Sequence, residues 1–130
     1  MLVYIDTSVV LAELFSEKKR PPASFWAQTF VSSRLLEYEI LNRMHVQGAG
    51  DADLQAARRI VDNVQLADLS AEALARALEP FPLHVRTLDS LHLSTMVFLR
   101  AHGQDLRLAT YDRRLAEAAR LLGFEEAGAE

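Results

Sequence analysis

Short apolar runs alternate with longer helical patterns along the chain, and this alternation restricts the fold more than any other feature of the sequence. The apolar runs predict strands at 2–5, 29–32, 64–69 and 106–109, with a possible last strand at 124–127. Apolar residues at helical spacing predict helices at 7–15, 33–47, 51–62, 70–78, 87–101 and 112–122, and a further short helix at Phe25-Trp26. Strands that alternate with helices through short connections form a parallel sheet with helices on both faces. The sequence therefore predicts the α/β fold class.

Composition excludes several classes of protein. The chain has 130 residues, of which half are hydrophobic, a net charge of −4 and no cysteine. This length suits one domain over 1–130, and so apolar a chain with so little net charge is not disordered. The missing cysteines exclude a disulfide scaffold, a cysteine-ligated zinc site and a thiol nucleophile. The acidic excess disfavours a protein that coats DNA without regard to its sequence.

The amino-terminal segment and the hydropathy pattern predict where the protein works. The first residues carry no basic segment, and no apolar stretch is long enough to span a bilayer. We therefore expect a cytoplasmic protein without a signal peptide or a membrane partner.

Acidic residues follow two of the predicted strands and begin a predicted helix. Asp6 comes directly after the first strand, Asp112 follows the strand that ends at 109, and Asp89 lies at the start of the helix 87–101. Because ligands of an open parallel sheet bind at the carboxyl ends of its strands, we expect these carboxylates and the Ser8 hydroxyl to meet there. Each aspartate alone is explained by capping of a helix N-terminus. Three together raise one another's pKa unless a cation neutralises them, which favours a Mg²⁺ or Mn²⁺ site.

The predicted helix 33–47 carries two further carboxylates, Glu37 and Glu39. Both flank the apolar stripe of this helix, so helical periodicity does not choose between them. A solvated helix edge explains either residue as well, and Glu39 stands at the spacing of an ordinary surface ion pair with Arg43.

Four short motifs occur in a fixed order along the chain. They are Asp6-Thr7-Ser8, Ser32-Ser33-Arg34-Leu35 leading to Glu39, Leu88-Asp89-Ser90-Leu91-His92-Leu93, and Thr110-Tyr111-Asp112-Arg113-Arg114-Leu115. In this order and at these spacings they resemble the PIN-domain family, and within it the VapC-type toxins of bacterial toxin–antitoxin pairs. The resemblance covers essentially the whole chain.

The resemblance implies a three-layer α/β/α sandwich with a central parallel, Rossmann-like sheet. It also implies a site for one or two Mg²⁺ or Mn²⁺ ions, formed by four carboxylates and helped by a hydroxyl, which map to Asp6, Glu39, Asp89, Asp112 and Ser8. Glu39 is preferred to Glu37 on this ground alone. The implied activity is that of an endoribonuclease that hydrolyses phosphodiester bonds with a metal-activated water. The implied partners are an RNA substrate, a VapB-type antitoxin and a second copy of the chain in a homodimer.

RNA binding needs positive charge near the carboxylates, and arginines supply most of it here. The candidates for contacts with phosphate are Arg86, Arg113 and Arg114, and the run 18–20 in the first loop is also basic. A solvated helix face explains Arg113 and Arg114 equally well. The excess of acidic over basic residues equals the size of the implied quartet, so it does not exclude a nucleic-acid substrate.

Two further features of the sequence carry an expectation about their surroundings. His92 lies one helical turn after Asp89, and we expect it to be packed or hydrogen-bonded rather than to act as a catalyst. Phe25-Trp26 stands beside the pair Pro21-Pro22 and is a candidate for an exposed anchor that binds the antitoxin.

Three other classes of protein remain as alternatives. A catalytically idle PIN-like scaffold would act through protein contacts alone, and the intact quartet speaks against it. A receiver-type phosphoacceptor domain would need an acidic pair after the first strand and a lysine at a late strand end, whereas lysines occur only at positions 18 and 19. A haloacid-dehalogenase-like phosphatase would need an acid two residues after Asp6, where Ser8 stands.

Overall fold

The computed structural model describes residues 2–129 of the chain. Within this range a sheet of four parallel strands has the spatial order β3-β2-β1-β4, and the strands are β1 (Leu2–Ile5), β2 (Thr29–Ser33), β3 (Val64–Ala67) and β4 (Leu106–Ala109). The helices of the same range are α1 (Thr7–Leu14), a 3-10 helix (Ala23–Ala27), α2 (Leu35–Val46), α3 (Asp51–Asp62), α4 (Ala71–Ala77), α5 (Thr87–Ala101) and α6 (Arg113–Leu121). The predicted α/β class with a parallel sheet is confirmed.

Helices cover both faces of the sheet, because successive side chains of each strand point to opposite sides. On one face Val3 and Ile5 of β1 pack in a buried cluster with residues of α1, α2 and α3. On the other face Tyr4 packs in a second buried cluster with residues of α5 and α6. The strands of such a sheet are apolar throughout, as the sequence of β1 shows. The architecture is the three-layer α/β/α sandwich that the resemblance implies.

The order of the strands reverses between β1 and β4. The chain passes from β1 to β2 and β3 in one direction and then returns to the other side of β1 as β4. The two strands end together, since Ile5 pairs with Ala109 and the Asp6 N–H donates to the Ala109 carbonyl at 3.0 Å. Asp6 and Thr110 therefore stand side by side at the crevice where open α/β sheets bind ligands.

Several element boundaries differ from the sequence prediction. Ser33 belongs to β2 and not to the following helix, because its N–H donates to the Tyr4 hydroxyl at 3.1 Å and its hydroxyl accepts from the Leu35 N–H at 3.1 Å. β3 ends at Ala67, earlier than predicted. The possible last strand at 124–127 is a single bridge in which Glu126 pairs with Leu108.

The expectation of an exposed aromatic anchor is wrong for Phe25. Its side chain is 3 % exposed and packs against Phe30 at a ring-centroid distance of 5.2 Å. Trp26 is partly buried and packs against the same cluster. The 3-10 helix therefore packs both rings against the buried cluster that contains Val3 and Ile5.

No helix within residues 2–129 is long and apolar enough to cross a membrane.

Candidate active site

Asp6 lies at the first position after β1, where it caps the N-terminus of α1. It is 7 % exposed, and its Oδ2 accepts hydrogen bonds from the Ser8 hydroxyl at 2.7 Å, the Thr110 hydroxyl at 2.8 Å and the Ser8 N–H at 3.3 Å. Within residues 2–129, all the side-chain hydrogen bonds of this carboxylate involve Oδ2. The aspartate is therefore fixed through one oxygen, and Oδ1 is available to a ligand.

Two hydroxyls fix Asp6 and are themselves fixed by the backbone after β4. The Ser8 hydroxyl accepts from the Tyr111 N–H at 2.9 Å, and the Thr110 hydroxyl accepts from the Asp112 N–H at 3.0 Å. Because each hydroxyl accepts from the backbone, its own proton points to Asp6. The structure places Ser8 where the sequence predicted it, whereas Thr110 was missed. Its signal was its position, directly after β4 as Asp6 is directly after β1.

Asp112 and Asp89 lie near Asp6, and we call these three carboxylates the acidic edge of the sheet. Asp112 caps α6, with its Oδ1 accepting from the Arg114 N–H at 3.0 Å and the Leu115 N–H at 3.2 Å. Asp89 lies half-buried in the first turn of α5. Burial raises the pKa of Asp89, and the charges of Asp112 and Asp6 raise this pKa further. Asp112 and Asp6 are therefore close enough to Asp89 to oppose its ionisation.

The structure separates the two glutamates of α2. Glu37 forms an ion pair with Arg58 of α3, with its Oε2 2.5 Å from the guanidinium. Glu39 instead turns to α5, where its Oε1 lies 2.6 Å from Nε2 of His92. His92 is 1 % exposed, and its Nδ1 lies 2.7 Å from the Tyr4 hydroxyl. The expectation of a packed, hydrogen-bonded histidine is confirmed, while its connection between Glu39 and Tyr4 was not predicted.

The oxygens at this edge suit a hard divalent cation in their chemistry. Carboxylate oxygens are the ligands that Mg²⁺ and Mn²⁺ prefer, and Asp6 and Asp112 each use one oxygen for their caps and keep the other. A cation would also offset the burial and the charges of Asp112 and Asp6 that together raise the pKa of Asp89. No group of three or more acidic or histidine side chains within residues 2–129 is already gathered tightly enough to hold an ion. The donor set fits the metal, whereas a preformed cage is not present in that range.

The candidate RNA-binding arginines differ in their surroundings. Arg86 is exposed just before α5, and its charge lowers the pKa of Asp89 against the larger effects that raise it. Arg114 donates through Nε to the His84 carbonyl at 2.8 Å, and Arg113 pairs with Glu126 at 2.6 Å. All three lie beside the acidic edge, and their contact with RNA stays a prediction.

The first basic loop also reaches this edge of the sheet. The Lys19 ammonium lies 5.3 Å from the centroid of the Tyr111 ring, over its face. Tyr111 stands between Thr110 and Asp112, so the contact brings part of the run 18–20 next to the carboxylates.

Asp89→Asn should raise the thermal midpoint of the chelator-treated protein at pH 7 by a few degrees Celsius. The folded chain holds the charge of Asp89 at a cost, because burial and the charges of Asp112 and Asp6 raise its pKa above the unfolded value. The folded state therefore takes up the proton at a higher pH than the unfolded state does. The cost is fully present above the folded pKa and disappears as the pH falls below it.

Thermal unfolding followed by circular dichroism measures this effect from about pH 3.5, near the ordinary pKa of a carboxyl group, to about pH 8. The increase in thermal midpoint that Asp89→Asn gives over the wild type should become smaller as the pH falls. Asp105→Asn is the matched control, because Asp105 is exposed and directly precedes β4 at the opposite end of the sheet. An equal gain in both variants, or a gain that grows on acidification, contradicts the prediction.

The chain is similar to known proteins along most of its length. The PIN-domain family matches residues 3–121. The protein named Ribonuclease VapC46 from Mycobacterium tuberculosis (strain ATCC 25618 / H37Rv) is 31% identical over 94% of this chain and 93% of its own length. Ribonuclease VapC47 from Mycobacterium tuberculosis (strain CDC 1551 / Oshkosh) is 24% identical over 95% of this chain and 93% of its own length. The chain therefore belongs to the PIN-domain family, in its VapC branch.

Proposed function

We propose that this protein is a divalent-metal-dependent endoribonuclease and the toxin of a toxin–antitoxin pair. One observation carries the proposal: Asp6, Asp89 and Asp112 lie near the point where the strand order reverses, and burial together with the charges of Asp112 and Asp6 raises the pKa of Asp89. Membership of the PIN-domain family and two relatives named as ribonucleases support it. A receiver-type domain would need a lysine at a late strand end, and a haloacid-dehalogenase-like phosphatase would need an acid where Ser8 stands.

The residues at and beside the acidic edge have different roles in the proposed reaction. Asp6, which the hydroxyls of Ser8 and Thr110 fix, and Asp89 would be the direct ligands of Mg²⁺ or Mn²⁺, and Asp112 would complete the site. A bound cation would supply a water of lowered pKa and would stabilise negative charge on the leaving 3′ oxygen. Glu39 would bind the cation through the attacking water, which it would orient through the oxygen that does not face His92. Arg86, Arg113 and Arg114 bind the phosphates that flank the scissile bond.

The partners follow from the same proposal. The substrate is RNA, and a VapB-type antitoxin covers the carboxylates when the enzyme is held inactive. The chain acts as one PIN domain over residues 1–130, forms a homodimer and works in the cytoplasm, where cellular RNA is available.

The purified protein should cleave RNA in Mg²⁺ or Mn²⁺ and stop when the metal is chelated. Because the attack uses water and not the RNA 2′-hydroxyl, the products should carry 5′-phosphate and 3′-hydroxyl ends. End-specific ligation and sequencing of the fragments measures both ends at once.

The matched control for this experiment is the Asp6→Asn protein purified in the same way, which reports any contaminating nuclease. Products with 2′,3′-cyclic phosphate ends contradict the mechanism. Full metal binding without cleavage of any RNA favours the idle scaffold instead.

A further inference from the structure

Three side chains from three separate elements form a hydrogen-bonded chain beside the acidic edge. Tyr4 of β1 contacts His92 of α5 through its hydroxyl and Nδ1 at 2.7 Å, and Nε2 of His92 contacts Glu39 of α2 at 2.6 Å. Both ring nitrogens of the imidazole are thus engaged, so His92 cannot rotate without losing a hydrogen bond. The tyrosine ring also packs edge-on against the imidazole, with ring centroids 5.8 Å apart.

The direction of this chain follows from its buried end. The Tyr4 hydroxyl accepts from the Ser33 N–H at 3.1 Å, so its own proton is free to point to Nδ1 of His92. Nε2 of the neutral ring then carries the other proton and donates it to the Glu39 carboxylate. Tyr4 is fully buried and His92 is 1 % exposed, so water does not compete for the hydrogen bond between them, whereas the Glu39 carboxylate is partly exposed. Burial strengthens the electrostatic part of the hydrogen bond between Tyr4 and His92.

His92 also interacts with the charges of two of the three aspartates, Asp6 and Asp89. Burial lowers the pKa of His92, but the hydrogen bond and charge of Glu39, followed by the charges of Asp6 and Asp89, outweigh it and raise the pKa overall. The imidazole therefore contacts Glu39 directly and lies close enough to Asp6 and Asp89 to interact with their charges.

We propose that His92, itself held by Tyr4, is a positioning residue that fixes the Glu39 carboxylate at the acidic edge and thereby sets the affinity of the site for its divalent cation. This inference rests on the proposed function. Its basis is geometric, since the two glutamates of α2 are chemically alike and only Glu39 has this buried partner. Glu37 is held by Arg58, which is exposed and lies on α3. Partners that orient the ligands of a metal site typically change its affinity by about 10–100-fold when removed.

The test compares three substitutions in the full chain with a matched control. His92→Ala removes both hydrogen bonds, Tyr4→Phe removes only the buried hydroxyl, and His92→Gln keeps an amide N–H near the place of Nε2. The control is His102→Gln at the other end of α5, because His102 is also paired with a glutamate, Glu72, at 3.6 Å, but half-exposed and away from the edge.

Calorimetric titration of the chelator-treated proteins with Mn²⁺ gives the affinity, and RNA cleavage gives kcat and KM. We expect His92→Ala to weaken Mn²⁺ binding by about 10-fold or more and to lower kcat with little change in KM. We expect Tyr4→Phe to fall between His92→Ala and the wild type, and His92→Gln to recover most of the loss. His102→Gln should match the wild type in both measurements.

Nitrogen NMR of the apo protein tests the hydrogen bonds of His92 without metal or RNA. Nitrogen NMR of the His92 ring should show both nitrogens hydrogen-bonded, and Glu39→Gln should shift the Nε2 signal while Glu37→Gln does not. An unshifted Nε2 signal in Glu39→Gln overturns the inference.

Two further results also overturn the inference. One is wild-type Mn²⁺ affinity in folded His92→Ala, and the other is a loss in His92→Gln as large as in His92→Ala. These failures are distinct from failure of the proposed function, in which the wild-type protein itself neither binds Mn²⁺ nor cleaves RNA.

Discussion

Asp6→Asn should reduce RNA cleavage by roughly 10³-fold or more while the chain stays folded. The change removes the negative charge from the one carboxylate that both hydroxyls fix in place, those of Ser8 and Thr110. A neutral amide is a poor ligand for a hard divalent cation, so the variant should also lose most of its affinity for Mn²⁺.

The fold should survive this substitution for two reasons. The amide oxygen of asparagine still accepts the hydrogen bonds that Oδ2 receives, and asparagine caps helices as well as aspartate does. The variant also removes one of the charges that raise the pKa of Asp89, so this pKa should fall toward its ordinary value.

Cleavage rate, Mn²⁺ titration, thermal unfolding and carbon NMR of the Asp89 carboxyl test these points on one sample. Asp105→Asn carries the same chemical change at the other end of β4 and should cleave as the wild type does. Residual metal-dependent cleavage in Asp6→Asn above about 10 % of wild type would remove Asp6 from the metal site.

Much of the fold follows from local features of the sequence. The apolar runs of β1 and β4 and the amphipathic helices between them specify a parallel sheet, since only that arrangement buries both faces of each strand. The errors lie where tertiary contacts decide the outcome. Ser33 extends β2 because its N–H donates to the Tyr4 hydroxyl, from a residue far away in sequence. Phe25 is buried because it packs against Phe30 and Trp26, although the Pro21-Pro22 pair shortly before it is typical of a loop.

The candidate site was predictable to the same degree and for the same reason. A carboxylate directly after a strand is visible in the sequence, and the topology rule brings Asp6 and Asp112 to one edge. Contacts between distant segments have no such signature. The hydrogen bonds that connect Tyr4 to Glu39 through His92 join β1, α5 and α2, and the spacing of these residues in the sequence does not predict them.

The capping and metal-binding explanations of the aspartates do not exclude each other. Asp6 uses Oδ2 and Asp112 uses Oδ1 for the helix N-termini of α1 and α6. Each cap fixes the rotamer of its carboxylate and leaves the second oxygen unused within the described residues. Capping therefore orients the proposed ligands before any cation binds, which lowers the entropy that binding must remove.

The two glutamates of α2 offer the sharpest comparison that the chain contains. Glu39→Gln should lower kcat by about 10²-fold, because a general-base carboxylate that orients the attacking water contributes roughly that much. Glu37→Gln should leave kcat within about 2-fold of wild type, because an exposed ion pair such as that with Arg58 contributes little even to stability.

Both variants carry the same change two residues apart on one helix, so effects on helix propensity and net charge cancel in the comparison. Single-turnover cleavage with saturating RNA isolates the chemical step, and thermal unfolding checks that both variants fold. Asp6 and Asp89 remain in place in each variant, so some Mn²⁺ binding should persist in Glu39→Gln. The opposite ranking, with Glu37→Gln the slower enzyme, would mean that α2 turns its other glutamate to the metal when RNA binds, and that the contact between Glu39 and His92 only stabilises the fold.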